Sequence, residues 1–218
     1  MVDQDLLAYL EEYLTAERKA RFYQVLEQRT KFITVAIEDV FQIHNASAVV
    51  RSCEVFGIQE AHVITQRFDR RLDKNIAMGA QQWVDIDRYG NSSSCIQHLR
   101  EQGYSIIATT PQKNACRMDE FEINAKTALF FGTEKEGLSQ EVLTQCDAFL
   151  RIPMAGFTKS LNISVSAAIL LQYYTTKLRK SELPWPLTEN EKREKRLDWA
   201  MKSIPSIDDI LARYHGIK

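Results

Sequence analysis

Short apolar runs and amphipathic stretches alternate along most of this chain. Residues 32–37 (FITVAI) form a continuous apolar run, and residues 61–65, 83–86, 104–109, 127–131 and 148–152 repeat the pattern. Between them lie stretches with helical spacing: 45–56 before Gly57, 76–82, 92–102 before Gly103, 139–145, and the long 162–180. A glycine just past the last periodic residue is a common helix stop, because it takes the left-handed conformation without steric cost. Strands that are apolar throughout, rather than on alternate positions, are buried on both faces. Alternating with helices, they predict an α/β fold with a parallel sheet covered on either side.

The two ends differ from this centre. Residues 4–14 (QDLLAYLEEYL) read as a helix, and Thr15 caps a second one running to about residue 29. Beyond Ser181, Leu183-Pro184-Trp185-Pro186 forms a stiff connector. A polar helix is expected over about 188–202, and a short last helix over 206–214 follows Pro205. The pieces beyond Ser181 lack a core of their own and are expected to dock on the domain, a partner subunit or a nucleic acid. The expected organisation is a helical extension over 1–31, a central domain over 32–180 and a helical tail over 181–218.

Composition mostly excludes. With 218 residues, 44% hydrophobic and 26% charged, the chain has an ordinary globular composition and enough length to bury a sizeable core. No apolar run approaches the roughly 18 residues of a membrane span. The acidic opening Met1-Val2-Asp3-Gln4-Asp5 lacks the features of a secretory signal, so the Asn-x-Ser sequons at Asn45, Asn91 and Asn162 carry no weight. Cys53, Cys95, Cys116 and Cys146 form no CxxC pair, and the four histidines show no metal-ligand spacing. Reduced thiols, a cytoplasmic location and no metal are expected. A P-loop, a GxSxG elbow and a GxG turn are all missing, which removes the common nucleotide-binding and serine-hydrolase readings.

Charge changes the picture. The net charge is −1, yet residues 17–31 hold five basic and two acidic residues, and 177–202 hold eight and five. Each end therefore carries about three surplus positive charges around an acidic middle, a distribution suited to a polyanion or simply to solvated helix faces.

Three segments carry candidate chemistry. In the first, Asn45 stands where a helix cap belongs and Arg51 follows on the second turn, with small Ser47 and Ala48 behind it. A helix entrance with a guanidinium suits a phosphate, and an ordinary cap with a surface arginine fits equally. The second is the turn from Gly132 to Gly137, where Glu134 could accept a hydrogen bond from a ligand. The third runs from Ile152 to Leu171. A loop with Gly156 leads to Ser160 and Asn162 at the entrance of a helix rich in small residues, fit for a flat heterocycle held by backbone amides. Ligands of open parallel sheets bind beyond the carboxyl ends of strands, and all three segments follow such ends.

The order and spacing of Asn45-x5-Arg51 with Phe56-Gly57, then Phe131-Gly132-x-Glu134-x-x-Gly137-Leu138-Ser139, then Ile152-Pro153-Met154-x-Gly156 with Ser160-Leu161-Asn162-x-Ser164-Val165-Ser166 resemble the three motifs of the SpoU/TrmH family. These are SPOUT-class RNA 2′-O-methyltransferases, and the resemblance covers about residues 17–176. It implies a SPOUT α/β-knot, a parallel sheet flanked by helices whose C-terminal third threads a deep trefoil knot. It also implies a homodimer and an S-adenosyl-L-methionine pocket near Thr109, Gly132, Ile152, Met154 and Leu161. Asn45, Arg51, Glu134, Ser160 and Asn162 match the family's catalytic and substrate-handling positions. The reaction implied is attack of a ribose 2′-hydroxyl on a sulfonium methyl. The short basic N-terminal helices and helical tail resemble the branch of the family that methylates guanosine 18 of the tRNA D-loop. Arg18, Lys19, Arg21, Lys192, Arg193, Lys195 and Arg196 would then hold RNA backbone. Methylation of another tRNA or rRNA nucleotide is the alternative. A non-catalytic RNA-binding relative would have lost Arg51 or the cofactor loop, and both are present.

Overall fold

A computed structural model describes residues 3–39, 43–65, 79–133 and 135–216. Glu134 and the first part of the helix expected over 76–82 lie outside the described residues. The chain divides into two compact units, Thr30–Trp185 and a second made of Met1–Arg29 with Pro186–Lys218.

In the larger unit, β1 (Ile33–Glu38) leads to α3 (Ile43–Phe56), β2 (Glu60–Ile64), a single 3₁₀ turn at Ala80–Gln82 and β3 (Asp85–Tyr89). Then come α4 (Ser92–Glu101), β4 (Ser105–Thr109), β5 (Cys116–Arg117) and β6 (Thr127–Phe131). The unit's last elements are α5 (Gln140–Gln145), β7 (Ala148–Arg151) and α6 (Ile163–Leu178). Among the described residues the sheet has seven strands in the order β3-β2-β1-β6-β4-β7-β5, and every pairing is parallel.

Side chains alternate across a strand, and the alternation in β1 divides the interior in two. Val35 and Ile37 join Val49 and Val50 of α3 and Leu170 and Leu171 of α6 in one apolar cluster. Ala36 faces the other way, into a cluster with Cys95, Ile96 and Leu99 of α4 and Val142 of α5. Glu38 is two residues beyond Ala36, so it shares that second face at the carboxyl edge of the sheet.

Two strands depart from the apolar-run expectation. The third was expected over 83–86, whereas β3 is Asp85–Tyr89, with sequence DIDRY and partly exposed throughout. It sits at the sheet edge, where one face and one ladder meet solvent, so polar residues suit it and charge protects the edge from pairing. The two-residue β5 at the opposite edge is too short to leave a periodic signal.

The smaller unit contains α1 (Gln4–Glu11), α2 (Ala16–Leu26), α7 (Glu189–Ser203) and α8 (Ile207–Tyr214). Each terminal piece alone is too thin for a core, and together they make one: Leu10, Ala200, Ile204 and Ile210 are its buried centre. The rings of Phe22 and Trp199 meet edge to face at 5.4 Å, and the Arg29 guanidinium lies 5.5 Å from the Trp199 ring. Arg196 donates to Glu11, while Lys192 bridges Glu27 at 2.8 Å and Glu189 at 3.0 Å. Thr188 and Glu191 close α7 with a reciprocal capping box.

Candidate active site

A cavity of about 370 Å³ opens beyond the carboxyl ends of β4, β6 and β7, the expected position for a ligand of a parallel sheet. All five positions expected to hold a cofactor, Thr109, Gly132, Ile152, Met154 and Leu161, line it, and so does Ser160. Thr109 is fixed by its hydroxyl, which donates to the Phe130 carbonyl at 2.7 Å. Lys135, Glu136 and Lys159 give the mouth mixed charge.

One wall depends on the absence of a side chain. Thr133 and Gly137 exchange backbone hydrogen bonds of 2.9 and 3.0 Å, which folds the segment after β6 back on itself. A Cβ at Gly132 would sit 2.2 Å from the Gly137 carbonyl carbon and oxygen and 2.3 Å from the Leu138 nitrogen. The close approach needs glycine. The result is a cavity rimmed by strand ends and backbone, with a size in the usual range for a small-molecule site.

Beside it, two asparagines 117 residues apart in sequence meet. Asn162 caps α6: its Oδ1 accepts from the Ser164 amide at 2.8 Å and from the Ser164 hydroxyl at 2.6 Å. Those bonds fix which end of the amide is oxygen, so its Nδ2 donates to Asn45 Oδ1 at 3.1 Å. Asn45 was expected as the cap of its own helix. It lies instead within the first turn of α3, which begins at Ile43, and it is 6% exposed. Its side-chain oxygen takes the contact from α6. Neither asparagine lines the cavity.

Arg51 stands two turns into α3 and is exposed, and among the described residues no hydrogen bond or ion pair holds its guanidinium. Burial pushes the Cys95 thiol up to about 12 and raises that of Cys146 as well. Among the described residues no cluster of His, Cys, Asp and Glu could hold a metal ion, and no helix is long and apolar enough to cross a membrane.

Sequence reasoning missed the structural weight of Glu38. A charged residue ending an otherwise apolar strand, at the edge where ligands bind, was the available signal. Asn162→Ala is expected to cost about 1 kcal/mol of stability through the lost cap. It is also expected to lower turnover at least about tenfold by releasing Asn45. Thermal unfolding beside single-turnover rates separates the two effects.

A parallel sheet with a cavity closed by a glycine turn beyond its strand ends, and an asparagine pair beside it, define a small-molecule site of an α/β protein. The chain belongs to the SpoU rRNA Methylase family, which residues 32–172 match, and it is a methyltransferase. It is 40% identical over 96% of its length, and 99% of the relative's, to the tRNA (guanosine(18)-2′-O)-methyltransferase of Borreliella burgdorferi. The crystal structure of the Aquifex aeolicus TrmH/SpoU tRNA modifying enzyme covers 86% of this chain and 97% of its own at 29% identity, with a TM-score of 0.77. The SpoU methyltransferase AviRb from Streptomyces viridochromogenes, crystallised with AdoMet, shares the fold at TM-score 0.61 and 23% identity, over 72% of this chain and 62% of its own.

Proposed function

We propose that this methyltransferase acts on tRNA, transferring a methyl group from S-adenosylmethionine to the ribose 2′-oxygen of guanosine 18. The observation that carries the substrate is the 40% identity, across nearly the whole of both chains, to a relative of that activity. S-adenosylmethionine supplies an electrophilic sulfonium methyl, whose transfer needs alignment and loss of one proton but no metal. Thr109, Gly132, Ile152, Met154 and Leu161 would hold it, in the cavity they line. The trefoil knot belongs to the same proposal and is supported by family membership.

Asn45, Ser160, Asn162, Arg51 and Glu134 are the proposed substrate-handling residues. Asn162 orients Asn45 from the helix cap, and Asn45 orients the ribose. A guanidinium holds its proton tightly and is a poor proton acceptor, so Arg51 grips a phosphate beside the target ribose and polarises its hydroxyl. The enzyme works in the cytoplasm as a homodimer. Exposed apolar side chains on α3 and α6, Val55 at 63% and Val165 at 44%, support an interface there. Transfer of labelled methyl to unmodified tRNA, with nucleoside analysis, tests the activity. 2′-O-methylguanosine is expected, and a methylated base contradicts it.

The proposed RNA contacts fall into two groups. Arg18, Arg21 and Arg193 are exposed. Lys192, Lys195 and Arg196 are only 12%, 15% and 16% exposed, each paired with a carboxylate, and Lys19 lies 4.0 Å from Glu11. Replacing Arg18, Arg21 or Arg193 by alanine is expected to reduce the salt dependence of tRNA binding, each by roughly one unit of slope. Arg196→Ala is expected to leave that slope nearer wild type and to lower stability by about 1 kcal/mol. Equal slopes in all variants would contradict this division.

A further inference from the structure

The geometry points to Glu38 as a positioning residue for the cofactor cavity, one that fixes the far end of the turn after β6 through Ser139. This inference rests on the cavity being the S-adenosylmethionine site. Glu38 ends β1 and is 3% exposed, yet it does not line the cavity. Its Oε2 accepts from the Ser139 backbone amide at 2.7 Å, and its Oε1 accepts from the Ser139 hydroxyl at 2.5 Å. Oε1 also accepts from the hydroxyl of Ser92, the fully buried first residue of α4. One carboxyl group thus takes three donors from two segments that meet the sheet edge.

Ser139 matters because of what precedes it. Gly132, Thr133 and residues 135–138 are cavity wall. The near end of this wall is held by β6, and its waist by the Thr133–Gly137 pair. Its far end has Leu138 against the second core cluster, with Ser139 next in sequence as the N-cap of α5. A backbone amide and a hydroxyl fastened to a buried carboxyl set where Leu138 stands. They also set the start of α5, which carries the cavity residue Leu143. Hydrogen bonds to a carboxylate are stronger than neutral ones, and a buried amide left without an acceptor is costly, so the anchor has one favoured position.

The choice of substitution separates anchoring from general loosening. Glu38→Gln keeps an acceptor for the Ser139 amide and offers an NH₂ group that can donate to both hydroxyls. Glu38→Leu keeps the bulk and removes every acceptor. Ser92→Ala removes one donor on the α4 side and leaves the Ser139 bonds in place. Calorimetric titration of the full-length protein with S-adenosylmethionine, beside thermal unfolding, reads all three. The expected dissociation constant rises about tenfold or more in Glu38→Leu and stays within about threefold of wild type in Glu38→Gln and Ser92→Ala. Unchanged affinity in folded Glu38→Leu overturns the inference, as does an equal rise in Glu38→Leu and Ser92→Ala. If Glu38→Leu does not fold, Ser139→Ala carries the test: weakened binding is expected, and wild-type binding overturns the inference. Failure of the wild-type protein to bind S-adenosylmethionine would refute the cofactor assignment, a result distinct from either.

Discussion

Arg51→Ala is expected to lower kcat by about 10²- to 10³-fold while leaving the affinity for S-adenosylmethionine within about twofold of wild type. The separation follows from position. Arg51 lies on α3, exposed and outside the cavity lining, so its loss removes none of the cavity wall. What it removes is a planar cation beside the proposed ribose, and with it the stabilisation of negative charge as the hydroxyl loses its proton. Arg51→Lys keeps the charge and loses the fork. A two-point grip predicts that lysine restores only a small part of the rate, because an ammonium cannot make the paired, coplanar bonds of a guanidinium. Single-turnover rates at saturating RNA and cofactor make the measurement. A lysine variant with near wild-type turnover would remove the need for the fork, and a tenfold loss of cofactor affinity in Arg51→Ala would place Arg51 in the cavity after all.

Gly132→Ala is expected to abolish cofactor binding and to destabilise the larger unit by about 3 kcal/mol, the top of the usual range for overpacking. The atoms a Cβ would meet belong to the backbone of Gly137 and Leu138, which cannot rotate aside as a flexible side chain could. Relief requires opening the Thr133–Gly137 pair, and that pair forms the cavity wall. At about 2–4 °C per kcal/mol for a chain of this size, the melting temperature should fall by roughly 6–12 °C. Gly156→Ala is the control, because its Cβ would meet nothing within 4 Å. Equal effects at the two positions would contradict the assignment of the clash.

Much of the larger unit was legible because burial and periodicity report the same thing in a parallel sheet. β1, β2, β4, β6 and β7 are the apolar runs, and the helices between them end at Gly57 and Gly103, both with positive φ. The five positions that the resemblance of motifs assigns to a cofactor, Thr109, Gly132, Ile152, Met154 and Leu161, line one cavity. Pattern reading failed where a residue's role is set by a distant partner. Asn45 looks like a cap from its own neighbours, and only α6 reveals its contact to Asn162. The terminal pieces look coreless because each supplies half of a core, Leu10 from one end and Ala200 from the other. In the tail, Lys192 and Arg196 pair with Glu27 and Glu11. Charge counts along a sequence cannot see such pairing.

Mapping the methyl group at nucleotide resolution is the most direct measurement of the central claim. An unmodified tRNA transcript would be incubated with the protein and S-adenosylmethionine, digested, and its fragments read by mass. A single methyl on the ribose of guanosine 18, lost when that nucleotide carries a 2′-deoxyribose, is the predicted result. A methyl on any base, or on a ribose elsewhere with guanosine 18 untouched, would contradict it.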